Sequence, residues 1–104
     1  MNLIWENPSP KADFEQQYIQ LSLKSNLYLI VFKLREGAGV NSTYIFTPNN
    51  TLSLTMAGDD SKIYYRPVNV EESSNRLFIG SCQNINDWTI SNAKMIPLRI
   101  YGIN

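Results

Sequence analysis

The chain has 104 residues, with nine basic and nine acidic side chains, no histidine and one cysteine. So short a chain can bury one core, so a single domain spanning 1–104 is expected. With no histidine and only Cys82, neither a zinc site nor a Ser-His or Cys-His nucleophile can be assembled, and zero net charge leaves no electrostatic footprint for nucleic acid or an anionic membrane.

Polarity comes instead from 12 Asn, 4 Gln, 10 Ser and 5 Thr, set against a hydrophobic fraction of 43% that is ample for a core. The first residues, Met1–Asn7, carry no basic n-region and no apolar run of signal-peptide length. The longest apolar run, Leu27 to Phe32, has six residues, far short of a membrane span. Synthesis in the cytoplasm, no signal peptide and no membrane insertion are therefore expected.

Taken in chain order, the periodicity is that of strands. Trp5 lies beside Leu3 and Ile4 on an expected first strand and reads as core. Ile19, Leu21 and Leu23 alternate with polar residues, while Phe14 and Tyr18 share the opposite parity, which suggests a bulge or a change of sheet near Tyr18. Leu27–Phe32 reads as a central strand covered on both faces. Thr43–Thr47 follows, and Pro48-Asn49-Asn50 reads as a hairpin turn into the alternating Leu52, Leu54 and Met56. Further strands are expected at Lys62–Val70, Arg76–Gly80 and Met95–Ile103, with Pro67 and Pro97 marking a sheet edge or a bulge. Turn-rich segments separate these runs, and no window carries a 3.6-residue apolar stripe. The expectation is an all-β, antiparallel β-sandwich, jelly-roll-like, of about seven to eight short strands.

Few constellations carry chemistry. Asp59-Asp60 after Gly58 reads as a turn, since a calcium cage needs six to eight oxygens; Glu71-Glu72 reads as a solvated strand end. Cys82 has no basic neighbour in sequence and reads as a buried, inert thiol. No catalytic residue, metal site or cofactor is expected, and the chain does not read as an enzyme. In Tyr64-Tyr65-Arg66-Pro67 one tyrosine is expected to pack inward, and the other to be presented with Arg66 at a candidate subunit contact or as an ordinary exposed pair.

Trp88 sits among amides, hydroxyls and one acid, from Gln83 to Asn92. A large aromatic often covers one end of a sandwich core, which is the favoured reading. The sharper reading makes Trp88, Asp87 and Asn86 ligand-binding residues. A pyranose has an apolar face that stacks on an aromatic ring and hydroxyls that bond to amides and carboxylates.

Three stretches also carry a resemblance: Trp5-Glu6-Asn7-Pro8-Ser9-Pro10 with the alternating residues that follow, Tyr65-Arg66-Pro67-Val68 in mid-chain, and the ending Ile96-Pro97-Leu98-Arg99-Ile100-Tyr101-Gly102-Ile103. Their order resembles the small β-rich modules at the C-terminal ends of tail and minor structural proteins in phages and prophages of Gram-positive bacteria. The resemblance implies a virion protein whose partners are other virion subunits, with a host cell-surface polysaccharide as a further candidate. It also implies a homo-oligomer, with a trimer favoured, and no catalytic residues. Such modules usually follow a long upstream sequence, so an independent small virion protein and an excised module are both compatible with it.

Overall fold

Strict alternation is clearest in β6 (Ile63–Glu71), where Tyr64, Arg66, Val68 and Val70 are buried while the residues between them face outward. The same pattern builds β1 (Asn2–Glu6), β2 (Gln17–Gln20), β3 (Leu27–Lys33), β4 (Asn41–Phe46), β5 (Leu52–Ala57), β7 (Arg76–Ile79), β8 (Gln83–Asn84) and β9 (Ile96–Ile103). These nine strands come from a computed structural model that describes residues 1–104. They form two antiparallel sheets, ordered β1-β9-β3-β4 and β2-β7-β6-β5, with β8 continuing alongside β6 beyond β7. The all-β sandwich expected from the sequence is what forms, with nine strands rather than seven or eight. Its topology is jelly-roll-like where β1, β2 and β3 alternate between the sheets. It is a plain meander where β3–β4 and β5–β6–β7 are neighbours in one sheet.

Both sheets contribute to one core of 20 buried residues, among them Ile30, Phe32, Leu77, Ile79 and Ile100. Truncating Ile30 or Leu77 to alanine is expected to cost about 2–5 kcal/mol. β1 lies against β9 with Asn2 opposite Gly102 and Glu6 opposite Arg99. Of the two prolines expected at a sheet edge or a bulge, Pro97 meets the expectation and Pro67 does not. Pro97 sits at a register shift between β3 and β9, where Asn7 donates its side-chain N–H to the Pro97 carbonyl at 2.8 Å. Pro67 lies on an interior strand but in the gap between β7 and β8, where no N–H is needed, and its carbonyl accepts from the Gly80 N–H. Gly80 has to be glycine because a Cβ there would collide with the Pro67 ring.

Several expectations change. Pro48-Asn49-Asn50 does turn the chain, and Asn49 adopts φ 65°, but it carries the chain from β4 in one sheet to β5 in the other and closes no hairpin. β2 ends at Gln20, so Leu23 is exposed, and Phe14 is buried in the loop before the strand, which explains the parity change without a bulge. β3 is interior to its sheet, yet only one of its faces meets the core; the other, with Leu27 and Leu29, is half-buried and looks outward. Trp5 is half-buried and packs edge-on against Phe14.

The largest departure is Arg66, which points inward beside Tyr64, as two residues of equal parity must. It is 0% exposed and has no carboxylate partner. Its guanidinium donates instead to four carbonyls: Nε to Met95 (2.8 Å), Nη1 to Gly80 (2.8 Å), and Nη2 to Asn92 (3.3 Å) and Lys94 (3.1 Å). Phe14 lies 5.6 Å from its charge. Burial pulls Arg66 down to about 10, leaving it charged at neutral pH. The five donors of a guanidinium fit this role as no lysine could, and they fasten the segment from Gly80 to Met95 to the inside of β6.

Candidate functional site

The segment that Arg66 fastens carries Trp88. Asn84 starts a tight turn in which the Trp88 N–H donates to the Asn84 carbonyl at 2.7 Å and the Asn84 N–H to the Thr89 carbonyl at 2.9 Å. The Asn84 side chain, buried, accepts from the Asn86 N–H at 2.9 Å, and the Asp87 carboxylate accepts from both the Thr89 N–H (3.1 Å) and hydroxyl (2.7 Å). These are the local side-chain bonds that let Asn and Asp replace a strand ladder in turns. The turn forces Trp88 to φ 63°, a left-handed conformation that a bulky residue rarely adopts.

Trp88 therefore does not cover the core. It is 60% exposed, on the outer face of the β2-β7-β6-β5 sheet. Its ring meets Tyr65 of β6 at 5.7 Å between centroids and 84° between planes, so the two rings form a right-angled corner. Gln83 holds both halves of that corner: its Oε1 accepts from the Tyr65 hydroxyl at 2.7 Å, and its Nε2 donates to the Trp88 carbonyl at 3.3 Å. Together with Ser53, Thr55 and Ile85 the rings line a shallow depression of about 250 Å³. That is below the size of a drug-like cleft.

Of the three residues the sequence singled out, Trp88 lies on this depression. Asp87 and Asn86 are exposed in the same turn, and one oxygen of the Asp87 carboxylate, Oδ1, accepts from the hydroxyl and amide of Thr89, which hold the group below its ordinary value. Asn86 uses its backbone amide to shape the turn. Tyr65, Gln83, Ser53 and Thr55 complete the corner. The register places Thr55 and Gln83 on either side of Tyr65, a neighbourhood that the order of residues along the chain does not reveal.

The other chemistry-bearing residues are committed elsewhere. Asp59 pairs with Arg35 at 2.6 Å, and Asp60 accepts from the Tyr64 hydroxyl, which burial and that carboxylate push up to about 12. Cys82 is buried, and burial raises its thiol to about 11 despite the nearby Arg66 and Lys94. A second depression, among Lys11, Asp13, Arg35, Glu36 and Lys94, mixes charges of both signs, several already paired. The chain has no helix long and apolar enough to cross a membrane. No protein-family model matches the chain, nor does any curated protein or solved structure.

Proposed function

We propose that this chain is a non-enzymatic adhesion module that contacts a surface glycan through the corner formed by Trp88 and Tyr65. One observation carries the reading: a tryptophan is held outward, in a strained conformation, against a tyrosine fixed by Gln83. Strain of this kind persists where surrounding structure enforces it, and here it keeps a large apolar ring in water. A pyranose offers what such a corner lacks, an apolar face for the rings and hydroxyls for Ser53, Thr55 and the amides.

The resemblance to phage tail modules supports a place on the virion, among other virion subunits. An attachment surface of this kind gains from several weak sites acting together, so a homo-oligomer, as a trimer, belongs to the reading. The contact between copies is assigned to the outer face of the β1-β9-β3-β4 sheet, where Leu3 and Ile45 are exposed alongside Leu29 and Tyr101.

The test is a glycan array followed by fluorescence titration of a Trp5→Phe variant, in which Trp88 is the only tryptophan. Saturable quenching or enhancement by a neutral cell-wall polysaccharide is expected. Trp88→Ala should weaken binding at least about tenfold while barely moving the melting temperature. An array without hits, with Trp88→Ala affecting stability alone, would point to a purely architectural virion subunit instead.

A further inference from the structure

The face that carries the corner holds a second depression. Tyr18, Phe78 and Asn69 are cross-strand neighbours on β2, β7 and β6, and with Thr51 and Glu71 they line a hollow of about 170 Å³. Tyr18 is 57% exposed, and its ring lies 5.3 Å from that of Phe78. Two features set this hollow apart from an ordinary sheet surface. The Oδ1 of Asn69 is shut off from water and accepts no hydrogen bond, a condition that is costly for a buried acceptor and rare without a reason. The charged groups at its rim, Glu71 and Arg76, face each other at 3.6 Å, with Arg76 also stacked over Tyr18 at 4.4 Å, so the hollow presents no unbalanced charge.

The geometry relates the two depressions. Tyr65 and Asn69 are four residues apart on one strand and point to the same face, which separates them by about 13 Å at some 3.3 Å per residue. Between them lie Pro67 and, opposite it, Ser53, which also lines the first depression. Pro67 presents an apolar ring and no N–H, so the Ser53 hydroxyl is the one side-chain polar group of this pair on the path between the hollows.

We propose that these two depressions are subsites of one track along β6, and that the track selects a linear, neutral polysaccharide over a single terminal sugar. In this arrangement one pyranose seats at Trp88 and Tyr65 and a later one in the same chain at Tyr18 and Phe78. Asn69 lines the second hollow, and its amide is the group assigned to bond a sugar hydroxyl there. This inference rests on the glycan reading of the Trp88 corner and adds the length and the neutrality of the ligand.

The experiment is a titration with cello-, xylo-, chito- and isomalto-oligosaccharides of two to six units, against the wild type and the Trp88→Ala, Phe78→Ala and Asn69→Ala variants. For any series that binds, affinity is expected to climb with length and then level off. Phe78→Ala should remove the gain from length, about tenfold, and leave the affinity for the shortest ligand unchanged. Trp88→Ala should lose short and long ligands alike. Asn69→Ala should raise the melting temperature by deleting an unpaired acceptor, yet weaken the longest ligand. Length-independent binding with Phe78→Ala indistinguishable from wild type overturns the track while leaving the Trp88 site standing. Absence of binding throughout overturns both.

Discussion

The two outer faces of the sandwich are built from the same alternation and end in different chemistry. On the β1-β9-β3-β4 sheet, the register aligns Leu3, Tyr101, Leu29 and Ile45 in one row across all four strands, with Leu27 opposite Ile103 beside it. On the β2-β7-β6-β5 sheet, the corresponding rows hold Tyr18, Phe78 and Asn69, and Gln83, Tyr65 and Thr55. The first face is mostly aliphatic and gains free energy mainly by excluding water, which any apolar surface of matching shape can do. The second combines rings with amides and hydroxyls, so it can fix the orientation of a polar partner as well as dehydrate it. A polar face in a sandwich is thus no default. Here the two sheets carry different chemistry at their outward positions.

Removing Arg66 should break the contrast most severely. Arg66→Met leaves the carbonyls of Gly80, Lys94 and Met95 without donors, while that of Asn92 keeps the Phe14 N–H, and a loss of about 3–5 kcal/mol in unfolding free energy is expected from chemical denaturation. Hydrogen exchange should show the opening concentrated between Gly80 and Met95, with the aliphatic sheet last to exchange; uniform loss of protection would contradict the assigned role. Next comes the aliphatic face itself. Leu29→Lys or Ile45→Lys should abolish any oligomer seen by light scattering and leave glycan affinity per site unchanged, whereas an 11.9 kDa monomer in the wild type at high concentration would remove the assembly part of the reading.

A subtler difference concerns Trp88. Glycine accepts φ 63° without penalty, so Trp88→Gly should be about 1 kcal/mol more stable than Trp88→Ala, although both lose the ring. Equal stability would mean that the turn does not enforce the conformation. The smallest effect is in acid. The Asp87 carboxylate is held below its ordinary value of 3.8 by Thr89, so its contribution to the turn is complete above that value and is lost as the pH falls below it through the folded value. Emission from Trp88 in the Trp5→Phe background should follow that loss, and Asp87→Asn should remove it. Assembly through the aliphatic face, which has no such group in its central row, should not follow.

Much of the fold was legible because period-two alternation is local and strong. The runs at 52–56 and 62–70 became strands, with Leu54, Met56, Val68 and Val70 inward, and Pro97 sat at a register shift, whereas Pro67 sat on an interior strand whose register runs on unbroken. What failed to show was everything that depends on partners distant in sequence. Arg66 shares its parity with Tyr64, so the two face the same way, and its charge argued for the surface. Only the fold brings the carbonyls of Gly80, Asn92, Lys94 and Met95 to it. Trp88 was recognisable as a candidate from its polar surroundings. Its outward placement depends on a turn whose left-handed residue would be expected at an asparagine or a glycine. Tyr65 and Gln83 were visible as residues and invisible as a pair, because cross-strand register sets their meeting.

The pairing of β1 with β9 has a mechanical consequence. Asn2 and Gly102 face each other across an antiparallel pair, so both chain ends leave the sandwich at the same corner. A pulling force applied between the two ends would peel β1 away from β9 one rung at a time, the geometry in which an antiparallel pair yields most easily. The same force applied between the C-terminal end, which leaves from interior strand β9, and a point on the opposite sheet would pass through the core and the interior strands. A domain tethered by that end and loaded through the opposite sheet is therefore more resistant than one strung in line, and force spectroscopy with the two attachment geometries would measure the difference.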